Sequence, residues 1–295
     1  MTCRFSPTLE SNCQKGFTVV ELLVSMLLAT VVVAGAIKHY LISAQQARDN
    51  QIRVETFLQA QAVVQNIGFE LRTVGNGVPF DQANFQIGES SLSDPTVTEP
   101  INVAATTASS ITFRVNETGT VALLTQDFDP SIDLEVVLTD VSSLTANDPI
   151  YISNSVVAGD DGFYGIIDSV DTGNSSATIA AGYVSTPGAT FDKGSVFEEV
   201  ASVVYTSDTL NEQITRNSGF GDIIVAKNAA LAFDYLDSSG TSLTLPMAAS
   251  DLTNSLRAIT VTVTVESSKI LSNTKETYTA TATQTFGLRN LTYLY

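Results

Sequence analysis

The residue with the clearest chemical significance in this sequence is a lone carboxylate, Glu21. It is the only charged side chain in an apolar run that covers residues 17–37. As an α-helix with a rise of about 1.5 Å per residue, this run would reach roughly 30 Å, the thickness of a bilayer core. A carboxylate at mid-membrane costs about 2.5 to 3.5 kcal/mol, and less near an interface. Glu21 therefore either reaches the headgroup level or has a partner inside an apolar environment.

The residues before the run predict how it would be oriented. A short polar segment that contains Arg4 and Lys15 precedes the apolar residues. By the positive-inside rule this segment stays in the cytoplasm, and the rest of the chain faces the periplasm or the exterior. The predicted location is therefore the inner membrane, crossed once, with the N-terminus in the cytoplasm and the head in the periplasm.

The string KGFTVVELLV at residues 15–24 resembles the class III signal of type IV pilins and type II secretion pseudopilins. The resemblance implies that a prepilin peptidase cleaves after Gly16, that the new amino group of Phe17 is methylated, and that Glu21 serves assembly. Lys15 and Gly16 complete the implied cleavage signal. It also implies further partners, namely other minor and major pilins, the inner-membrane assembly platform and membrane lipid. The resemblance implies later exposure on a pilus or at the cell surface. Electrostatics agrees, because a buried ammonium on one subunit and a buried carboxylate on its neighbour are each costly alone.

A competing interpretation comes from Ala34-Gly35-Ala36, which resembles a site for ordinary signal peptidase. Cleavage there would release a periplasmic protein without an anchor. The length of the apolar run, the internal Glu21 and the helical pattern beyond residue 36 argue against it. Small residues also suit close packing of membrane helices. The sequence of the mature N-terminus distinguishes the two cases.

Charge and residue inventory exclude several functions. The formal net charge is −17, and residues 80–200 contain only Arg114 and Lys193 as cations against 18 Asp and Glu. Because phosphate binding needs clustered Lys and Arg, no nucleic-acid partner is expected. Cys3 and Cys13 both lie in the predicted leader, so the mature chain would have neither a disulfide nor a Cys-based site. His39 is the only histidine, which excludes a Ser-His-Asp triad in the head and favours a protein that is not an enzyme.

Glu21 lies near the start of a long predicted helix. Residues 36–67 contain neither Pro nor Gly, and Gly75, Asn76, Gly77 and Pro79 mark a stop, so the pattern predicts one helix over residues 17–74, about 87 Å long. Its apolar stripe at spacings of three and four predicts the face that packs on the head. This stripe consists of Ala47, Asn50, Val54, Phe57, Ala60, Val64, Ile67, Leu71 and Val74.

The rest of the chain has a β pattern, with alternating Thr, Val and Ile between turn clusters. The predicted strands are residues 110–115, 133–138, 150–153, 165–170, 177–180, 200–206, 212–216, 231–236, 241–245, 257–266 and 277–286. The predicted fold class is α+β and pilin-like, a long N-terminal helix packed on an antiparallel β-rich head. The predicted organisation is a leader (1–16), a helix (17–76, with 17–37 in the membrane) and a head (77–295) elaborated at about 80–195.

Both ends of the chain are similar to PilW-like minor pilins and to J-type pseudopilins. The similarity rests on FELRTVGNG at residues 69–77, on LAFDYLDSSG at 231–240, on LRAITV at 256–261 and on LRNL at 288–291. It implies a minor pilin that takes part in initiating type IV pilus assembly at or near the filament tip. The alternatives are a minor pseudopilin of a type II secretion system and an adhesive tip subunit whose ligand-binding part is the elaboration at about 80–195.

One possible cofactor is calcium. The carboxylates of Asp127, Asp129, Asp133 and Glu135 alternate along a predicted loop and strand, and Asp160-Asp161-Gly162 is a second acidic turn. Calcium takes six to eight oxygen ligands, which such loops supply. Neither segment has the full EF-hand spacing, so solvated acidic loops are the alternative, and otherwise no cofactor is expected.

Overall fold

The computed structural model describes residues 18–78, 86–87, 99–153, 162–181, 190–248, 251–252 and 255–288. These residues form a long helix, α1 (Val19–Leu71), and fourteen β-strands. The strands are β1 (Gln86–Ile87), β2 (Ser110–Val115), β3 (Val121–Leu123), β4 (Glu135–Val137), β5 (Pro149–Ser153), β6 (Gly162–Asp171), β7 (Ser176–Ile179), β8 (Val196–Glu199), β9 (Ala201–Asp208), β10 (Gln213–Asn217), β11 (Asp222–Lys227), β12 (Ala229–Leu236), β13 (Ala258–Ile270) and β14 (Thr277–Gly287).

The helix α1 has 53 residues and is about 80 Å long. It ends at Leu71, three residues before the predicted end, and turns follow as far as Gly77. Gly75 and Gly77 have positive φ angles of 77° and 81°, which glycine adopts without a steric penalty. The N–H of Gly75 donates to the carbonyl of Arg114 at 2.9 Å and thereby joins the helix end to β2.

The C-terminal half of α1 buries one face against the head. The buried residues of α1 are Asp49, Ile52, Thr56, Ala60, Val63, Val64, Ile67, Gly68 and Leu71. The predicted stripe is correct from Ala60 onward, but Ala47, Asn50, Val54 and Phe57 are exposed, so that part of the prediction is wrong. The apolar pattern failed there because two polar residues, Asp49 and Thr56, occupy buried positions and form hydrogen bonds.

Two sheets share the main hydrophobic core with α1. One sheet has the order β11-β10-β9-β2, and the other has the order β12-β13-β14. Neighbouring strands in both sheets are antiparallel. Buried side chains from the helix and from both sheets meet in this core, among them Ile67, Leu71, Phe113, Tyr205, Phe233 and Val261.

A third sheet closes on itself, and six of its strands, β3 to β8, lie between β2 and β9 in sequence. Its strand order is β3-β8-β5-β6-β7-β4, with β1 also paired to β6. The two end strands are joined by an antiparallel bridge between Leu124 and Leu138. We call the closed unit formed by β3 to β8 the barrel. It has a core of its own, built around Phe128, Phe163, Phe191 and Phe197.

The barrel is an insertion between two paired strands. Val115 at the end of β2 lies opposite Ala201 at the start of β9 in the antiparallel register. The chain therefore leaves the main sheet and returns to it at neighbouring positions. Such a geometry allows a domain to be inserted without disturbing the strands that carry it.

The structure confirms the predicted fold class, a long N-terminal helix packed on an antiparallel β-rich head. Several strands agree closely with the prediction, and β2 has the predicted bounds. Residues 241–245 do not form the predicted strand, since only a bridge between Leu236 and Ser242 and one bond from Leu243 to Tyr235 follow the turn. Pro246 comes next and has no N–H with which to continue a ladder. Strands β1, β3, β8 and β11 were not predicted.

Candidate functional site

Glu21 lies in the first turn of α1 and forms a capping box with Thr18. The Thr18 side chain accepts the N–H of Glu21 at 3.2 Å, and Glu21 Oε2 accepts the N–H of Thr18 at 3.0 Å. The Thr18 hydroxyl also contacts Glu21 Oε2 at 3.1 Å. The box satisfies two N–H groups that the first turn of a helix otherwise leaves without partners. Sequence reasoning missed the role of Thr18, although the spacing T-x-x-E could have shown it.

Lys15, Gly16 and Phe17 lie outside the described residues. Cleavage after Gly16 and methylation of Phe17 therefore stay predictions. Because Phe17 is bonded directly to Thr18, an amino group created there would belong to the same helix terminus as the Glu21 carboxylate. A carboxylate offers about four lone-pair sites. Glu21 can therefore accept a bond from a cationic amine in addition to those from Thr18.

The N-terminal half of α1 is uncovered. Its large apolar side chains are at least half exposed from Val19 (77%) to Ile37 (55%). In the described part of the chain, α1 is the one helix long and apolar enough to cross a membrane, with a mean hydropathy of 2.4 over its most apolar window. No residue of that window is buried. So large an exposed apolar surface requires lipid or other helices around it.

The polar side chains of this half are satisfied within the helix itself. The Ser25 hydroxyl donates to the carbonyl of Glu21 at 2.7 Å, and the Thr30 hydroxyl donates to the carbonyl of Leu27 at 2.8 Å. With the pair Thr18 and Glu21, these are all the polar side chains of residues 18–37. Since an unsatisfied polar group in a dry environment costs several kcal/mol, this half is suited to lipid or to a helix bundle.

The C-terminal half of α1 is held by the hairpin between β13 and β14. The Asp49 carboxylate accepts the N–H of Ser272 at 2.8 Å and that of Asn273 at 3.2 Å. The hydrogen bond from Ser272 keeps the pKa of Asp49 below its usual value, with the bond from Asn273 and the charge of Arg53 acting in the same direction. The Arg53 guanidinium lies 5.4 Å from the centre of the Tyr278 ring. These contacts set where the free half of the helix leaves the head.

The four carboxylates of the calcium hypothesis each have a separate partner. Asp127 accepts from the N–H of Lys193 at 2.8 Å, and Asp129 accepts from the N–H of Ser131 at 2.9 Å. Asp133 accepts from the N–H of Glu135 at 3.0 Å, and Glu135 accepts from the hydroxyl of Ser176 at 2.7 Å.

Asp160 and Asp161 lie outside the described residues, which contain no group of three or more His, Cys, Asp or Glu side chains arranged to hold a metal ion. The calcium hypothesis stays a prediction, and a thermal shift with calcium against chelator tests it.

Comparison with known proteins agrees with the geometry of the helix. Residues 11–37 match the family model described as the prokaryotic N-terminal methylation motif. No curated protein matches the chain. The match covers the last six residues of the predicted leader and the apolar N-terminal part of α1, and it supports anchoring in a membrane through the N-terminus. The motif and the fold together support the type IV pilin-like or pseudopilin class, whose members are structural proteins.

Proposed function

We propose that this protein is a minor pilin that takes part in initiating type IV pilus assembly at or near the filament tip. The observation that carries the proposal is the uncovered half of α1, with its one carboxylate at the N-terminal end. A prepilin peptidase removes residues 1–16, and the mature chain then remains anchored in the inner membrane with its head in the periplasm. Other minor and major pilins then cover the apolar helix in place of lipid.

Glu21 fixes the axial position of the helix when neighbouring subunits replace lipid around it. An apolar helix in an apolar bundle slides at little cost, because van der Waals contact is similar at many positions. A charged pair between Glu21 of one subunit and the methylated amine of Phe17 on a neighbour is favourable at one axial position only. Thr18 holds the carboxylate at the helix terminus, where such an amine would lie.

The test replaces Glu21 with alanine and compares the variant with Glu55→Ala. Glu55 is an exposed acid on the C-terminal half of the same helix. We expect Glu21→Ala to be processed normally, as shown by mass spectrometry of the mature N-terminus, and to enter filaments about tenfold less or worse, since a charge would be left unpaired. Glu55→Ala should behave as the wild type. Equal filament numbers with both variants would overturn the charge pairing.

An adhesive tip subunit is the second candidate, and the barrel favours it. The barrel has its own core and joins the main sheet through neighbouring positions in β2 and β9. A short turn from Val115 to Ala201 in place of the barrel should therefore leave the sheet intact. Loss of binding to surfaces or glycans with normal filament numbers would support adhesion, and loss of filaments would support a role of the barrel in assembly.

The filament system is decided by a separate comparison. A minor pseudopilin of a type II secretion system would use the same N-terminal helix for a different filament. Deletion of the gene would then stop secretion of folded enzymes and leave pili unchanged. We expect the opposite result, loss of pili with normal secretion.

A further inference from the structure

The barrel contacts the end of α1 through the turn that follows the helix. We call the contact between residues 75–78 and the barrel the junction. The N–H of Asn116, just before the barrel, donates to the carbonyl of Asn76 at 2.9 Å. A small apolar cluster lies beside this bond and is separate from the main core and from the core of the barrel. Its buried residues are Val78, Tyr151, Tyr164 and Val200.

Four acids and one cation accompany this apolar contact. Glu198 and Glu199 are the last two residues of β8, and Asp148 comes directly before β5. Glu117 lies between β2 and β3, and the cation is Arg216 of β10. The two glutamates of β8 are half-buried, and Asp148 is buried. Like charges are therefore held together where water has limited access, which disfavours their ionised forms.

Arg216 forms its ion pairs with other acids than the glutamates of β8. Its Nε lies 3.0 and 3.1 Å from the two carboxylate oxygens of Glu70, and its Nη2 donates to Glu117. These bonds join α1 to β10 and to the segment that leads into the barrel. In the part of the chain that the structure describes, no cation forms a salt bridge with Glu198 or Glu199.

The two glutamates have neutral partners instead. The Thr118 hydroxyl donates to Glu199 Oε2 at 3.0 Å, and the Asn116 side chain forms a hydrogen bond with Glu198. Burial raises the pKa of Glu198 above its usual value, although the bond from Asn116 acts in the opposite direction. Burial also raises the pKa of Glu199, and the negative charges of the neighbouring Asp148 and Glu117 add to this effect.

Glu198 lies directly against the turn that ends the helix. A Cβ at Gly77 would lie 2.9 Å from Glu198 Oε2 and 3.0 Å from the side chain of Val200. The backbone of the turn therefore passes over the carboxylate with no side chain between them. An ionised carboxylate needs more water than a protonated one, because burial of an unpaired charge is costly. Water that enters here would separate the turn from the barrel.

We propose that the junction is a pH-sensitive hinge, which is closed when Glu198 and Glu199 are protonated and loosens when they ionise. Protonation removes their repulsion from Asp148 and Glu117 and lets the apolar contact of Val78 exclude water. A carboxyl group whose pKa is higher in the folded state contributes stability at low pH that is lost as the pH rises through this pKa. The barrel is therefore held against α1 in mild acid and gains freedom near neutral pH.

Hydrogen exchange on the full chain in detergent micelles tests the proposal, with the amide of Asn116 as the reporter of the junction. Exchange is measured at about pH 5 and about pH 7.5 and corrected for the pH dependence of intrinsic exchange. We expect this amide to exchange about tenfold faster or more at the higher pH in the wild type. The double variant Glu198→Gln/Glu199→Gln should exchange slowly at both pH values, because it cannot ionise at these positions.

Asp168→Asn is the matched control, since Asp168 is an exposed acid on β6 of the same barrel. It should keep the pH difference of the wild type, and amides of β12 report that the head stays folded. A wild type without the pH difference would overturn the proposal, as would a double variant that keeps it or exchanges fast at both pH values. The inference does not rest on the proposed function, and Glu21→Ala should leave the exchange of Asn116 unchanged.

Discussion

The two halves of α1 belong to one continuous helix but lie in opposite surroundings. The N-terminal half has no buried residue over its most apolar window, whereas the C-terminal half buries one face against the head. The first half is the more hydrophobic of the two, yet it contributes nothing to the core of the head. The hydrophobicity of a helix therefore indicates that its surface will be buried. It does not indicate whether the surface is buried by the same chain, by lipid or by another subunit.

The largest expected difference between the halves comes from two leucine truncations. Leu71 is fully buried, and Leu27 is 65% exposed. We expect Leu71→Ala to lower the free energy of unfolding of the head by about 2 to 5 kcal/mol, because it leaves a cavity. Leu27→Ala should change it by about 0.5 kcal/mol or less. Urea unfolding of the full chain in micelles measures both, and a similar loss in both variants would contradict the independence of the halves.

A smaller difference is expected between two glycines of the same helix. A Cβ at Gly68 would lie 1.9 Å from the ring of Phe286, which is nearly buried, whereas a Cβ at Gly35 would meet nothing within 4 Å. Overpacking costs about 1 to 3 kcal/mol, and alanine gains about 1 kcal/mol over glycine in a helix. Gly68→Ala should therefore lower the stability of the head, and Gly35→Ala should not.

A second substitution separates the clash from other effects of Gly68→Ala. Phe286→Leu removes the ring that a Cβ at residue 68 would meet. The double variant should lose less stability than the two single losses added together, as measured by a double-mutant cycle. Simple additivity would show that the ring and the glycine do not interact.

The smallest effect concerns the contact that holds the helix to the hairpin. The N–H of Ser272 holds the pKa of Asp49 below its usual value, so the ionised contact stabilises the fold above the unfolded pKa. That stabilisation is lost as the pH falls through the lower folded pKa. Asp49→Asn should therefore give a shallower fall in stability below about pH 4 than the wild type. If stability fell equally with decreasing pH in both proteins, Asp49 would not be the cause of the acid destabilisation.

Most of the candidate site could be predicted from the types and spacing of neighbouring residues. Part of the helix face that packs on the head could not. Glu21 and the apolar run are properties of adjacent residues, so they can be identified without a fold. The buried stripe was predicted from apolar spacing and was correct from Ala60 onward. It was wrong at Ala47, Asn50, Val54 and Phe57. Asp49 is buried instead, because the turn that follows β13 supplies N–H partners for it from residues more than 220 positions away.

Four features could be predicted from the residues alone: the helix, its membrane-length apolar half, the lone carboxylate and the β character of the head. These follow from short-range periodicity and residue type, which act within a few turns or one strand. Two features could be seen only in the folded chain: the closure of residues between β2 and β9 into a barrel, and the contact between Asp49 on the helix and the turn after β13. Those features depend on strand pairing and hydrogen bonds between residues that are far apart in the sequence. The pattern of neighbouring residues does not specify which distant residues pair.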